Sequence, residues 1–158
     1  MQNKHAKTMQ LAIDSAMEGI QKNEGGPFGA CVVKGDKVIS VAHNTVLRDN
    51  DATCHAEMNA IRQASQALGT YDLSGCEIYS TVDPCPMCLT AIYWARIDKI
   101  YAAANNKLAA VYGFDDQEFY KQVKAPADAR KIPSEKLPLD EQSESVFKEW
   151  KALGRDVY

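Results

Sequence analysis

The sequence predicts an α/β protein, because strand patterns and helix patterns alternate along its 158 residues. Two observations carry this prediction. The first is a β-hairpin, in which apolar runs at 29–33 and 38–41 flank Gly35-Asp36, a two-residue turn signal. The second is a strand, a helix and a strand in succession, an order typical of a parallel crossover unit. These three elements are predicted over residues 78–82, 86–96 and 100–103.

Helices are predicted before and after these strands. Apolar side chains recur every three or four residues from about residue 4 to 23, and Gly25 then ends the helix. A second helix is expected to be capped by Asp51 or Thr53 and to end at Gly69. The remaining predictions are a polar loop over 44–51, a helix over 115–123, a short edge strand near Ile132 among three prolines, and a last helix ending at Gly154.

Length and composition fit a single domain covering residues 1–158, with 46% hydrophobic and 25% charged residues. The polar start contains no long apolar run, so neither a secretory signal nor a membrane span is predicted. Five cysteines, an odd number, fit a reducing compartment better than a disulfide framework, which predicts a cytoplasmic protein. The net charge of −3 offers no general field for phosphate backbones and disfavours a nucleic-acid partner.

Two short runs carry a metal-binding pattern: His55-Ala56-Glu57 and, further along, Pro84-Cys85-Pro86-Met87-Cys88. Zinc binds imidazole nitrogen and thiolate sulfur in a tetrahedron, and a catalytic zinc keeps one position for water. One histidine and two cysteines leave that position open. The pattern H-x-E followed by P-C-x-x-C is the signature of zinc-dependent deaminases, in which the glutamate moves protons and does not bind the metal.

The spacing of these residues supports the pattern. Cys85 and Cys88 are three apart, so on a helix beginning here they share one face and can bind one ion. Proline is tolerated in a first helical turn, and a helix N-terminus lowers the pKa of nearby thiols. His55 and Glu57 are about 200° apart on a regular helix, which suits a ligand and a separate base.

Three other interpretations use the same residues. A structural zinc site would need a fourth ligand, for which Cys54 is the nearest candidate, followed by Cys31, Cys76, His5 and His43. A thioredoxin-like redox pair would explain Cys85 and Cys88, but it has no use for the His55 run. A metalloprotease helix needs a second histidine where this sequence has Asn59.

Further runs extend the pattern over nearly the whole chain. The sequence resembles the cytidine and nucleobase deaminase superfamily, and within it is most similar to the bacterial zinc-dependent guanine deaminases. The resemblance implies a three-layer α/β/α fold with a five-stranded mixed sheet. It also implies a homodimer, in which the C-terminal segment from about 140 to 158 could be exchanged between subunits. The shared runs are residues 25–30, 55–57, 60–62, 84–88, 91–96 and 113–116, and Tyr158.

The resemblance also implies a role for individual residues. His55, Cys85 and Cys88 would bind one Zn²⁺ per chain, with a bound water or hydroxide, and Glu57 would move protons with help from Asp116. The purine substrate would be contacted by Phe28, Asn44, the backbone N–H of Ala56, Trp94 and Tyr158. The polar tail that carries Tyr158 would close over the bound purine.

The activity implied by the resemblance is hydrolytic deamination of guanine to xanthine and ammonia. The alternatives are deamination of tRNA adenosine, deamination of guanosine, a pterin or cytosine, and a zinc-dependent binding module without activity. Two residues depart from the family pattern. Cys54 stands where the family usually has alanine, which keeps the four-ligand interpretation open. Asp83 stands where the family usually has glutamate, which bears on the choice of substrate.

Overall fold

A computed structural model describes the chain from residue 2, with side chains described from residue 4. The chain forms two compact units, with the boundary between Val123 and Lys124. The first unit contains the strands β1 (Gly29–Lys34), β2 (Lys37–His43), β3 (Cys76–Ser80) and β4 (Lys99–Ala102). Its helices are α1 (Gln2–Gln21), α2 (Val46–Asp49), α3 (Ala56–Leu68), α4 (Pro86–Trp94), α5 (Asn106–Val111) and α6 (Gln117–Lys124), the last of which reaches the boundary.

The four strands form one mixed sheet in the order β2-β1-β3-β4. Strand β1 is antiparallel to β2 and to β3, and β3 is parallel to β4 across the helix α4. The predicted hairpin is therefore confirmed, with Gly35 at its turn in a left-handed conformation (φ +60°) that glycine adopts without strain. The predicted crossover unit is confirmed as well.

The expectation of five strands is wrong, because the sheet of the described residues has four. The short edge strand predicted near Ile132 is absent: this side chain is 83% exposed and lies in irregular structure. Pro126, Pro133 and Pro138 surround it, and proline cannot donate a ladder hydrogen bond. The segment around Ile132 also has few apolar side chains, so burial would offset little of the conformational entropy lost on ordering it.

The sheet lies between helices on both faces, which agrees with the three-layer prediction. Side chains alternate across the strands, so each face builds its own core. On one face α1 packs its fully buried Ala12 against Cys31 and Tyr79. On the other, α3 and α4 cover Val32 and Ile78. The second core is the larger one, and truncating a buried residue such as Ile78 to alanine is expected to cost about 2–5 kcal/mol.

Helix α3 begins later than predicted. Its N-cap is His55, whereas Asp51 and Thr53, the predicted caps, lie upstream of it. The Asp51 carboxylate accepts hydrogen bonds from the Thr53 backbone N–H at 2.7 Å and from the Thr53 hydroxyl at 2.8 Å, which closes a turn. The helix ends as predicted at Gly69, whose φ of +67° is the left-handed C-cap conformation. The region predicted as a loop, 44–51, contains the single turn α2.

The second unit, residues 124–158, contains a short 3₁₀ turn, Ala127–Ala129, and the helix α7, Asp140–Ala152. Gly154 follows α7 in a left-handed conformation (φ +62°), as the predicted helix end requires. Among the residues from 2 onward, none of the helices has the length and apolar content needed to cross a bilayer.

Candidate active site

Two helix N-termini bring the predicted metal ligands together. His55 is the N-cap of α3 and Cys85 is the N-cap of α4, and both have an extended backbone conformation. Cys88 lies in the first turn of α4, above Cys85. The Nδ1 of His55 is 3.6 Å from the Sγ of Cys85 and 3.5 Å from the Sγ of Cys88. Among the described residues, these three alone form a set of at least three such side chains that could hold a metal ion.

The distances fit a zinc ion. Zinc to sulfur bonds of about 2.3 Å and zinc to nitrogen bonds of about 2.0–2.1 Å place two tetrahedral ligands about 3.6 Å apart. The two nitrogen to sulfur separations match this edge, and all three ligand atoms lie within 4.8 Å of one another. Imidazole with two thiolates is also a donor set that zinc prefers over harder cations.

Proton sharing among these groups shows how readily the site presents a thiolate. A hydrogen bond from Cys88, with a further one from His55, lowers the pKa of Cys85 to about 4. The same hydrogen bond, together with burial, raises the pKa of Cys88. The contact with Cys85 raises the pKa of His55. Metal binding requires release of the proton on Cys88, so affinity is expected to fall at acidic pH.

Glu57 lies beside the ligand set in the first turn of α3 and is only 6% exposed. Its Oε2 accepts a hydrogen bond from the Cys88 thiol at 3.4 Å, and its Oε1 accepts one from the Ser80 hydroxyl at 3.0 Å. Burial raises the pKa of the Glu57 carboxyl. A carboxyl with a raised pKa beside a metal site is well suited to accept and return a proton.

Cys54, the candidate fourth ligand, has a different side-chain partner. Its Sγ accepts a hydrogen bond at 3.7 Å from the guanidinium of Arg62, two turns along α3 from His55. Arg62 is held in turn by Asn59 and by Thr53. This arrangement favours the three-ligand interpretation over the structural zinc site.

An aromatic wall and an oriented amide lie at the start of β1. The rings of Phe28 and Phe114 meet edge to face with centroids 5.0 Å apart. Asn44 is 4% exposed, and its Oδ1 accepts the backbone N–H groups of Gly26 and Val46, both at 3.1 Å. Because its oxygen is engaged twice, the amide nitrogen of Asn44 remains as a donor for a ligand. A Cβ on Gly25 would overlap the Asn44 amide, so this tight packing requires glycine.

Asp116 and Ala56 are two further predicted site residues in the first unit. Burial raises the pKa of Asp116, and the negative charge of Cys85 adds to the rise. The Asp116 carboxylate accepts a long hydrogen bond, 3.5 Å, from Asn106. Ala56 is fully buried and is the first residue of α3, where a backbone N–H has no acceptor within its own helix.

Trp94 and Tyr158 are the two remaining predicted contacts. Trp94 ends α4 and is 67% exposed, beside Tyr93 in a surface hollow. It follows Cys88 by six residues, or about 9 Å along the helix, so within one chain it stands away from the metal ligands. Tyr158 belongs to the second unit, where its ring meets Trp150 edge to face at 6.4 Å. Asp83, the second departure from the family pattern, is exposed.

Two residues of the site had no sequence prediction. Ser80 is 2% exposed and shares the inward face of β3 with Cys76 and Ile78. A hydroxyl on an otherwise apolar face is the signal that could have identified it. Tyr120 donates a hydrogen bond at 2.8 Å to the carbonyl of Pro84, next to the ligand Cys85. The spacing of α6 gives no hint of this contact.

A mixed sheet between helices, with a histidine and two cysteines beside a buried glutamate, defines a protein of the zinc-dependent deaminase class. Residues 2–104 match the cytidine and deoxycytidylate deaminase zinc-binding region, which is more than half of the chain. The chain therefore belongs to this zinc-binding deaminase family.

Individual relatives are similar over nearly their whole lengths. Guanine deaminase of Bacillus subtilis (strain 168) is 44% identical over 147 residues, which are 93% of this chain and 94% of that protein. An X-ray structure of guanine deaminase from Bacillus subtilis matches with a TM-score of 0.92 and 42% identity, covering 98% of each chain. The tRNA-specific adenosine deaminase of Aquifex aeolicus (strain VF5) is 35% identical over 153 residues, 94% of this chain and 95% of that protein.

Proposed function

We propose that this protein is a zinc-dependent hydrolase that converts guanine and water to xanthine and ammonia. The observation that carries the proposal is the likeness to guanine deaminase, which spans 98% of both chains at a TM-score of 0.92. The set of His55, Cys85 and Cys88 beside Glu57 supports the chemistry independently of that likeness.

One zinc per chain would be held by His55, Cys85 and Cys88, with the fourth position open to water. When bound, zinc supplies Lewis-acid activation of a water molecule near neutral pH. The ligands hold the ion at the junction of two helix N-termini, whose positive dipole ends stabilise the two thiolates.

Glu57 carries the protons. Its Oε2 faces the ligand set, so this oxygen is placed to accept a proton from the attacking water. Burial raises the pKa of the carboxyl and makes its carboxylate a stronger base than an exposed one. As water oxygen adds to C2 of guanine, Glu57 delivers this proton to the ring nitrogen. The hydroxyl proton then moves to the amino group, with Asp116 assisting, and ammonia leaves.

The purine would bind against the aromatic wall. Phe28 and Phe114 offer an apolar surface at right angles to each other, and the amide nitrogen of Asn44 offers a donor for a purine oxygen or nitrogen. The backbone N–H of Ala56, at the start of α3, offers a second donor. Trp94 and Tyr158 are proposed to reach the substrate from a partner subunit.

The test is to measure ammonia release by the zinc-loaded protein from a panel of compounds. The panel contains guanine, guanosine, cytosine, a pterin and a tRNA anticodon stem-loop at equal concentration. We expect guanine to give the highest kcat/KM. Faster release from the stem-loop would instead establish the tRNA adenosine alternative, which the 35% identical relative favours but the net charge of −3 does not. Ammonia release from no compound would leave the binding-module alternative.

A homodimer is part of the proposal. Its support is a group of exposed apolar side chains at the end of α4 and at the end of α5 with its C-cap, an exposure typical of interaction surfaces. These are Tyr93 (76% exposed), Trp94 (67%), Val111 (79%) and Tyr112 (73%). Light scattering is expected to give twice the chain mass of 17.4 kDa, and Tyr93→Glu with Trp94→Glu is expected to give the monomer. We also propose that the chain is a single deaminase domain whose C-terminal segment is exchanged between subunits. An exchanged segment is needed for dimerisation, so a chain that lacks residues 140–158 is then expected to be monomeric.

We also propose that the protein works in the reducing cytoplasm. All five cysteines are free thiols in the structure, and Cys85 and Cys88 must stay reduced to bind metal. Oxidation of these two thiols is expected to release the zinc.

A further inference from the structure

Ser80 ends β3 directly under the catalytic glutamate. Its hydroxyl donates a hydrogen bond at 3.0 Å to Oε1 of Glu57, and the residue is 2% exposed. The strand is central in the sheet: Ser80 pairs with Ala30 of β1 on one side and with Ala102 of β4 on the other. The hydroxyl is therefore presented from a backbone that is fixed on both sides.

The two oxygens of Glu57 have different neighbours. Oε1 faces Ser80, whereas Oε2 faces the Sγ of Cys88 at 3.4 Å. A cysteine that binds zinc is a thiolate and has no proton to donate. Among the side chains that the structure describes, Glu57 has two donors, and Ser80 is then the one that remains.

A hydrogen bond to one oxygen of a carboxylate restricts the rotation of the group and therefore the position of its second oxygen. A hydroxyl that donates to an ionised carboxylate makes a charge-assisted hydrogen bond, which is stronger in a buried site than one between neutral groups. With Oε1 fixed by Ser80, Oε2 is directed towards the ligand set, where the attacking water must lose its proton. Without this anchor the carboxylate could rotate about its terminal torsion, for which the preference is broad.

We propose that Ser80 is a positioning residue for deamination, which aims Oε2 of Glu57 at the reacting water by holding Oε1. This inference rests on the proposed function. Ser80 touches neither the metal ligands nor the substrate directly and acts through Glu57.

The structure offers a matched control in Ser40. This residue lies in β2, is 7% exposed, and donates a hydrogen bond at 2.8 Å to the backbone carbonyl of Ala60. Ser40 therefore fastens the same helix α3 to the sheet through an equally buried hydroxyl, one turn beyond Glu57. Ser80→Ala and Ser40→Ala remove the same group at similar depth, and only the first removes a contact with Glu57.

The kinetic test compares these two variants with Ser80→Thr, which keeps a hydroxyl. For Ser80→Ala we expect unchanged zinc content, a KM within about twofold of wild type, and a kcat lower by about tenfold or more. Ser40→Ala is expected to keep its kcat within about twofold, and Ser80→Thr to regain most of the rate. In a Glu57→Gln background, Ser80→Ala should cause no further loss. Equal losses in Ser80→Ala and Ser40→Ala, or a wild-type kcat in Ser80→Ala, would overturn the proposal.

A structural test needs no substrate. In a crystal structure of zinc-loaded Ser80→Ala, the Glu57 carboxylate is expected to have rotated or to occupy several orientations, and in Ser40→Ala to keep the wild-type one. An unmoved, singly ordered carboxylate in Ser80→Ala contradicts the inference. If wild-type protein releases no ammonia from guanine, the proposed function fails, while this comparison still decides the role of Ser80.

Discussion

The guanidinium of Arg62 lies 3.7 Å from the Sγ of Cys54, so the cysteine that precedes His55 in the chain contacts α3 through its side chain. Cys54 is 7% exposed, and its sulfur has a polar partner among the side chains. Because Cys54 already has this partner, it can lie next to the metal ligand His55 without binding the metal itself.

We therefore predict that Cys54→Ala retains one zinc per chain. The free energy of unfolding should fall by only about 1 kcal/mol, typical of a small change in a buried side chain. Zinc content and X-ray absorption spectroscopy check this, and two sulfur ligands are expected in both proteins. Cys88→Ala is the comparison and should lose its zinc. A drop in the sulfur count of Cys54→Ala would restore the four-ligand interpretation.

Replacing Glu57 by glutamine should remove nearly all turnover while zinc and fold are kept. An amide has the shape of the carboxylate and can still accept from Ser80, but it cannot carry a proton. We expect kcat to fall by about 10²–10⁴-fold. Glu77→Gln is a control on the neighbouring strand, because Glu77 contacts only the hydroxyls of Tyr79 and Tyr101 among the described side chains in hydrogen-bond range. A Glu57→Gln enzyme with a wild-type rate would show that another group moves the protons.

Asp116 and Asp115 form a natural pair for testing the second acid. Burial and the charge of Cys85 raise the pKa of Asp116 above 3.8, so its ionised form is disfavoured by folding. Asp116→Asn is therefore expected to lower kcat by about tenfold or more at pH 7 without lowering the melting temperature. Asp115→Asn should leave both unchanged, since its Oδ1 can still accept from the Gln117 N–H.

The pH dependence follows with a definite sign. Because the pKa of Asp116 is raised, its carboxylate is protonated at a higher pH than an exposed aspartate as the solution is acidified. If Asp116 acts as a carboxylate, activity on acidification should begin to fall at a pH above the usual pKa range of aspartate. In Asp116→Asn, this part of the fall on the acidic side of the pH–activity profile should be absent. An acidic limb unchanged in Asp116→Asn would remove Asp116 from the reaction.

The tail is expected to serve turnover rather than folding. Gly154 ends the last helical region, and the residues after it have no apolar periodicity. Deleting residues 155–158 should leave zinc content and melting temperature nearly unchanged. Guanine turnover should fall by more than about tenfold, or about 1.4 kcal/mol of transition-state stabilisation, because a closed site excludes water. Full activity in the truncated protein would exclude Tyr158 from the site.

The sequence was sufficient where local chemistry determines structure. Gly35, Gly69 and Gly154 mark turns or helix ends because each has a positive φ, and the strand–helix–strand order required a parallel crossover. The metal set was predictable because Cys85 and Cys88 lie in one helical turn.

The failures share a different origin. The β-branched side chain of Ile132 favours a strand, but the prolines around it lack the backbone N–H groups that strand pairing needs. The hydroxyl of Ser80 and that of Tyr120 reach partners 23 and 36 residues away in the chain. Such contacts depend on which strand lies beside which helix, so a local pattern can mark Ser80 as unusual but cannot give its partner. The exposure of Trp94 likewise depends on whether another chain packs against α4, and a pattern within one sequence does not give this.

The most direct test of the central claim is the fate of oxygen-18 from labelled water. Zinc-loaded protein incubated with guanine is expected to form xanthine carrying one labelled oxygen, detected by mass spectrometry, with one ammonia released per xanthine. Zinc-stripped protein should form neither product at a measurable rate, and Glu57→Gln should form both only at its much lower residual rate. Added zinc should restore the stripped protein alone. Absence of labelled xanthine from the zinc-loaded protein, or equal formation by the zinc-stripped protein, would contradict zinc-dependent hydrolysis of guanine.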